Sequence, residues 1–278
     1  MGLSSNILWH QTNESGFYKI LQSRKLLYSY CLEKIIPSFD FKPIAFPMIS
    51  MSDYPVSEIG NNYWAYGDYS IGFKQSWGVK AGFSPVWYCS YGSKGLLQLN
   101  VLLENALKEK SKGRFGAVMY LYAQMKLVQA PLNTKSKSFN SYRFYDEREW
   151  RNVPYVTVTD RAEVLPFLTE ENYKKYKKQH GGSSLLDIGV EFQYDDIHYI
   201  IAKSEEDIEK TRSIVGDRIH IFTKNEVIED MIGVDHHDEI KPSQEQVDYE
   251  GALRHVERMK NMFEEEWAKR KNNNSKKE

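Results

Sequence analysis

Apolar and polar positions in this chain recur at two spacings, every second residue and about every 3.6 residues, so both strands and helices are expected. Ile7-Leu8-Trp9 followed by His10-Gln11-Thr12 predicts a short strand with a polar tip. Over 16–27, Phe17, Ile20, Leu21 and Leu26 fall at near-helical spacing. The apolar run Ile44 to Ser52 reads as a buried strand, and Ser52 or Asp53 could cap a short helix over 55–63. A turn at Tyr66-Gly67-Asp68 precedes a strand over 69–73, a short helix over 74–80 and a strand over 84–89. Residues 94–109 are too apolar to face solvent, and 115–128 follow after a break at Gly113 and Gly116, which predicts a helical hairpin packed on or inserted in a sheet. Pro131 to Ser141 reads as an exposed loop.

Farther along, a polar helix over 169–179 ends at Gly181-Gly182. A strand over 198–202, a helix opened by Ser204-Glu205-Glu206-Asp207, a strand over 218–222 and a helix over 224–231 follow. Tyr249, Leu253, Val256, Met259, Phe263 and Trp267 then form an amphipathic stripe suited to docking on the core, on a partner or on a second copy, which would make a homo-oligomer. The pattern describes an α+β protein with a mixed or antiparallel sheet core. Its expected organisation is one domain over 1–240 with a helical insertion at about 94–128, a C-terminal helix over 241–270 and a disordered tail over 271–278.

The chemistry concentrates between Tyr142 and Arg151, where three acids and three bases are set among aromatic residues. If this stretch continues as a strand, Glu147, Glu149 and Arg151 share one side while Arg148 and Trp150 share the other. Two carboxylates so close repel unless a cation separates them or one keeps its proton, an arrangement that marks sites which use it. The bland alternative is a charged edge strand with weak ion pairs. A glycosidase pair is excluded, since carboxylates two apart on a strand, with Cα atoms about 6.5 Å apart, cannot flank a scissile bond.

Composition narrows the field further. The 37 Lys and Arg against 38 Asp and Glu give a net charge of −1, with no global pull toward nucleic acid. Basic pairs such as Lys174-Lys175 and Lys177-Lys178 read as a solvated helix face. Cys31 and Cys89 lack metal spacing and read as buried thiols in a reducing compartment. Neither a signal-peptide pattern nor a membrane-spanning run is visible, so a cytoplasmic location is expected. His236-His237 lacks helical zinc spacing, and no metal is expected. The 19 Tyr and 6 Trp suit pockets for flat or polar ligands as well as cores.

Several stretches together resemble the bacterial abortive-infection (phage resistance) AbiGi family, described as antitoxins of phage-resistance operons. They are Ile7-Leu8-Trp9-His10, Phe46 to Pro55, Tyr66 to Phe73, Tyr142 to Arg151 and His198 to Glu206, so that the likeness spans about 6–230. It implies an anti-phage defence role with a toxin or a phage protein as partner. More distantly, the order of a strand ending His-x-Thr, an aromatic-Ser strand and a later Glu-x-Glu is similar to ADP-ribosyltransferases, including DarT-like toxins. That resemblance implies NAD as cofactor, His10 at the ribose, and Tyr69 or Ser70 at the nicotinamide wall. Glu149 would be the catalytic acid and Glu147 the substrate-side acid, with Thr12 and Arg151 among the cofactor-binding residues. No Ser-Thr-Ser triplet is present; Ser50-Met51-Ser52 is a loose echo, leaving the middle role open between Ser50 or Ser52 and Tyr69 or Ser70.

Two functions from different classes follow. One is an NAD-using ADP-ribosyltransferase or NAD glycohydrolase; the other is a non-catalytic antitoxin or sensor that binds a protein partner. The enzyme requires that His10 and the twin acids face each other across a single cleft.

Overall fold

Ile44–Ser52 (β3) organises the sheet because it is apolar on both faces, as a strand covered on both sides must be. The computed structural model describes residues 6–55, 67–133, 138–154, 165–223 and 226. Expectations for 55–63 beyond Pro55, for the helix over 224–231, for His236-His237 and for the C-terminal helix and tail lie outside the described residues.

In chain order the strands are β1 (Ile7–Thr12), β2 (Lys25–Glu33), β3, β4 (Tyr69–Lys74), β5 (Ser84–Pro85), β6 (Trp87–Cys89), β7 (Met125–Leu127), β8 (Gln129–Asn133), β9 (Ser138–Arg143), β10 (Glu149–Asn152), β11 (Leu168–Thr169), β12 (Ser184–Glu191), β13 (Ile197–Ala202) and β14 (His220–Thr223). The α-helices are α1 (Glu14–Ser23), α2 (Gln75–Lys80), α3 (Lys94–Lys108), α4 (Lys112–Ala123), α5 (Glu170–His180) and α6 (Glu205–Val215). The main sheet runs β12-β2-β3-β1-β4-β13-β14, with β10 and β11 also on β3 and β5 on β10. All pairings in it are antiparallel except β13 with β14, which are joined through α6. This is the expected mixed α+β architecture.

Strand alternation sorts the side chains into two cores. Ala45, Ile49 and Met51 of β3 join Leu8, Ile71, Phe73 and Phe17 in one cluster, beneath α1, α2 and α6. Ile44, Phe46 and Met48 point the other way, onto Leu96, Leu99 and Leu103 of α3 and Met119, Tyr122 and Ala123 of α4. The helical hairpin thus covers one face of the sheet, its helices meeting along their apolar sides.

Local signals explain the helix ends. Asn13 caps α1 by accepting from Gly16 N at 2.9 Å, and Ser204 caps α6, whose first turn carries Glu205, Glu206 and Asp207. The helix expected over 16–27 stops at Ser23, because Arg24 turns left-handed at φ 51° and Leu26 enters β2. The second hairpin helix likewise ends at Ala123; its predicted last turn is β7, paired in parallel with β6. Pro131 to Ser141 is not a plain loop, since β8 and β9 pair antiparallel through it. The strands β2 and β12 have no counterpart in the reading of the sequence.

Candidate functional site

The acidic stretch is not one strand. Phe144–Glu147 forms a 3-10 turn, and Arg148 takes a left-handed conformation at φ 43° before β10 begins at Glu149. Such a conformation is costly for a residue with a Cβ, so the backbone reversal here is held by its surroundings. Asp53 N donates to Arg148 O at 3.1 Å, and Glu149 N donates to the Tyr88 hydroxyl at 2.8 Å. The reversal leaves Glu147 and Glu149 on the same cation. Lys126 Nζ, from β7, lies 2.7 Å from Glu147 Oε2 and 2.7 Å from Glu149 Oε2. It also sits 4.6 Å from the centre of the Phe144 ring.

Arg151 continues the chain of charges. Its guanidinium is fully buried, with Nε 2.7 Å from Glu149 Oε1 and Nη2 3.0 Å from Glu149 Oε2. Nη2 also donates to Glu33 on β2. Nη1 donates to Ala123 O at 2.8 Å and Met125 O at 3.2 Å, the carbonyls where α4 ends and β7 begins. All five guanidinium N–H donors are therefore used. The Ser50 hydroxyl adds a 2.7 Å bond to Glu149 Oε1. Glu149 thus accepts from Ser50, Lys126 and twice from Arg151, which fills the roughly four acceptor positions of a carboxylate.

The electrostatics follow from that geometry. Burial pushes the Glu149 carboxyl up, but Arg151 and Lys126 outweigh it and hold the group well below the usual carboxylate range. Burial lowers the Arg151 value, and Glu149 and Glu33 more than reverse this. Glu33 goes the other way: burial raises it beyond what Arg151 and Lys126 offset. Burial together with Glu33 lifts the Cys31 thiol to about 12, so it is no nucleophile at neutral pH.

Of the residues singled out in the sequence, Ser50, Glu147, Glu149 and Arg151 come together on one site. The strand registers place the others elsewhere. Trp9, Ser52 and Glu149 form one cross-strand row and therefore share a face, so His10, next to Trp9, points to the opposite face with Ile71. Its Nδ1 lies 3.1 Å from the Ser50 carbonyl, and burial lowers its pKa despite that contact. Thr12 pairs with Tyr69 on the face that His10 occupies. The Tyr69 hydroxyl donates to Asp207 at 3.1 Å, beside Tyr18 at 2.9 Å. Ser70 shares the Glu149 face but lies on β4, where its buried hydroxyl has no partner among the described residues. The single cleft required of His10 and the twin acids is therefore not formed, because one residue of strand offset puts the imidazole across the sheet.

Lys126, Glu33 and Tyr88 were missed. A lone Lys in the apolar run Tyr122 to Val128 was the available signal for the first, since a charge there must be paired. Among the described residues no group of three or more His, Cys, Asp or Glu is placed to hold a metal, and no helix is long and apolar enough to cross a membrane.

No curated protein matches this chain. No solved structure matches it either. A family model described as "Putative abortive phage resistance protein AbiGi, antitoxin" matches residues 24–203, a span that contains Glu33, Lys126, Glu147, Glu149 and Arg151 and begins after His10 and Thr12. With most of its length matched, the chain belongs to the AbiGi family of abortive phage resistance proteins.

Proposed function

We propose that this chain acts in abortive infection as an antitoxin that binds a protein toxin through the outer side of α3, and that the buried charge cluster holds the hairpin in place for that contact. The observation that carries the reading is the exposure of α3. Its inner face is already filled by Leu96, Leu99, Leu103 and Ala106, yet Leu97, Val101, Leu102 and Leu107 remain 48%, 46%, 55% and 48% exposed. Leu97 and Val101 lie one turn apart and present one ridge. Leu102 and Leu107 flank the buried face on either side, and an exposed apolar ridge of this kind is the surface by which folded proteins take up partners. The family description supplies the kind of partner, a toxin protein. The test is co-purification with the toxin of the same operon, comparing wild type with Leu97→Glu/Val101→Glu. Loss of the partner with an unchanged melting temperature supports the reading; retention of the partner by the variant overturns it.

A second reading, NAD-dependent ADP-ribosyl transfer, is favoured by one observation: Ser50, Glu147 and Glu149 meet at a single site. As arranged, that site does not fit NAD. Glu149 has no acceptor left for a ribose hydroxyl, and His10 lies across the sheet. NAD would need the cluster to open, and no step is derived through it. Release of nicotinamide from NAD by the purified protein, lost in Glu149→Gln, would establish this reading. No release and no calorimetric binding would remove it.

A further inference from the structure

The buried cluster is an alternating chain, Glu147–Lys126–Glu149–Arg151–Glu33, with three acids against two bases. Fully ionised, these five groups would carry one net negative charge, in a place where burial makes such a charge costly. We propose that Glu33 carries a proton in the folded protein, which makes the cluster neutral and links the seating of the α3–α4 hairpin on the sheet to pH.

The hydrogen bonds locate the proton. Glu149 accepts four bonds and has no acceptor position left to carry one. Glu147 is held by Lys126 and by the Tyr142 hydroxyl. Glu33 accepts only from Arg151 Nη2, at Oε1; its Oε2 accepts no hydrogen bond from any described residue. Its side chain is 16% exposed, the highest value among the five, so the added O–H can reach water. Facing Glu33 are Arg151 and Glu149 from β10 and Lys126 from β7, with Cys31 beside it on β2. The two cations are engaged by Glu149 as well, and burial prevails over them at Glu33.

The sign follows from linkage. Because the folded value lies above the unfolded one, the stabilisation is complete below the ordinary Glu value of 4.5 and is lost as pH rises through the raised folded value. In that window the folding constant falls about tenfold per pH unit. The melting temperature falls by roughly 3–5 °C per unit for a domain of this size.

The experiment is a melting series from acid to neutral pH on wild type and Glu33→Gln, with infrared detection of a protonated carboxyl in the wild type. The expected result is a wild-type decline that the variant lacks, and a carboxylic-acid band at neutral pH that disappears in Glu33→Gln. Parallel melting curves, or a wild-type spectrum with no such band, overturn the proposal. A band abolished by Glu147→Gln instead moves the proton to Glu147 and overturns the assignment. The infrared measurement on wild type stands even if Glu33→Gln does not fold.

Discussion

Replacing Arg151 with Met removes a group that ties β10, β2 and the end of α4 together. The side chain is fully buried and uses all five N–H donors, three on Glu149 and Glu33 and two on the carbonyls of Ala123 and Met125. Met fills much of the same volume, so the loss comes from the stranded partners rather than from a cavity. Breaking one partner out of a buried ion pair costs about 3–5 kcal/mol. Glu149 keeps Lys126 and Ser50, and Glu33 already carries its proton under the proposal above, so a loss of about 4 kcal/mol is expected. At roughly 2–4 °C per kcal/mol this lowers the melting temperature by about 8–16 °C. The check is urea unfolding and thermal melting of wild type, Arg151→Met, Glu149→Met and the double variant. The double variant should be less damaged than Arg151→Met alone, because it removes the Glu149 carboxylate together with the cation it loses. A loss below about 1 kcal/mol in Arg151→Met, the range of exposed pairs, would refute the claim that this cluster is sealed and tightly held.

Two further predictions use other parts of the sheet. Asp207 accepts from Ser204, Tyr18 and Tyr69; burial raises its pKa, but these bonds outweigh burial and lower it from the ordinary 3.8. Its stabilisation is therefore present above that value and lost as pH falls below it, so the melting temperatures of wild type and Asp207→Asn should converge as pH falls to and below 3.8. At Gly189, a Cβ would lie 2.0 Å from the Leu26 carbonyl oxygen, backbone against backbone at the β12 irregularity. Gly189→Ala should cost about 3 kcal/mol and strip hydrogen-exchange protection from β2 and β12; an unchanged melting curve would show that the two strands are not held at that spacing.

What the sequence revealed depended on how local each signal was. The apolar period of β3, the caps at Ser204 and Asn13 and the two hairpin helices are legible within a turn or two of their own residues. The helix called over 16–27 overran into β2 because Leu26 and Leu27 continue an apolar count, while the stop signal was the left-handed Arg24, a residue type that seldom takes that conformation. The acids at 147 and 149 pointed to the right place by the wrong geometry. They share a cation through a 3-10 turn and not through strand alternation, and that cation comes from a segment that reads as helix. His10 shows the converse. Its strand and its neighbourhood to Ser50 were recoverable, but which face it takes depends on a one-residue register that only the paired strands define.

Stability alone gives little reason to keep five ionisable groups under a helical hairpin, since well-packed apolar replacements of buried ion pairs are often neutral or stabilising. The hypothesis this raises is one of positioning: Arg151 has a fixed fork of donors, and five acceptors from four elements satisfy it in only one placement of α4 against the sheet. An apolar core such as that formed by Phe46, Met48, Met119 and Tyr122 tolerates sliding more readily, because dispersion contacts have no direction. Replacing Lys126, Glu147, Glu149 and Arg151 together with apolar residues of similar size should therefore leave the melting temperature near that of wild type while weakening co-purification of the toxin through α3. If the quadruple variant keeps both its stability and its partner, the cluster does not position the hairpin. If it loses stability to the same extent as Arg151→Met, the cluster is a net stabiliser and its role in placing α3 has no support.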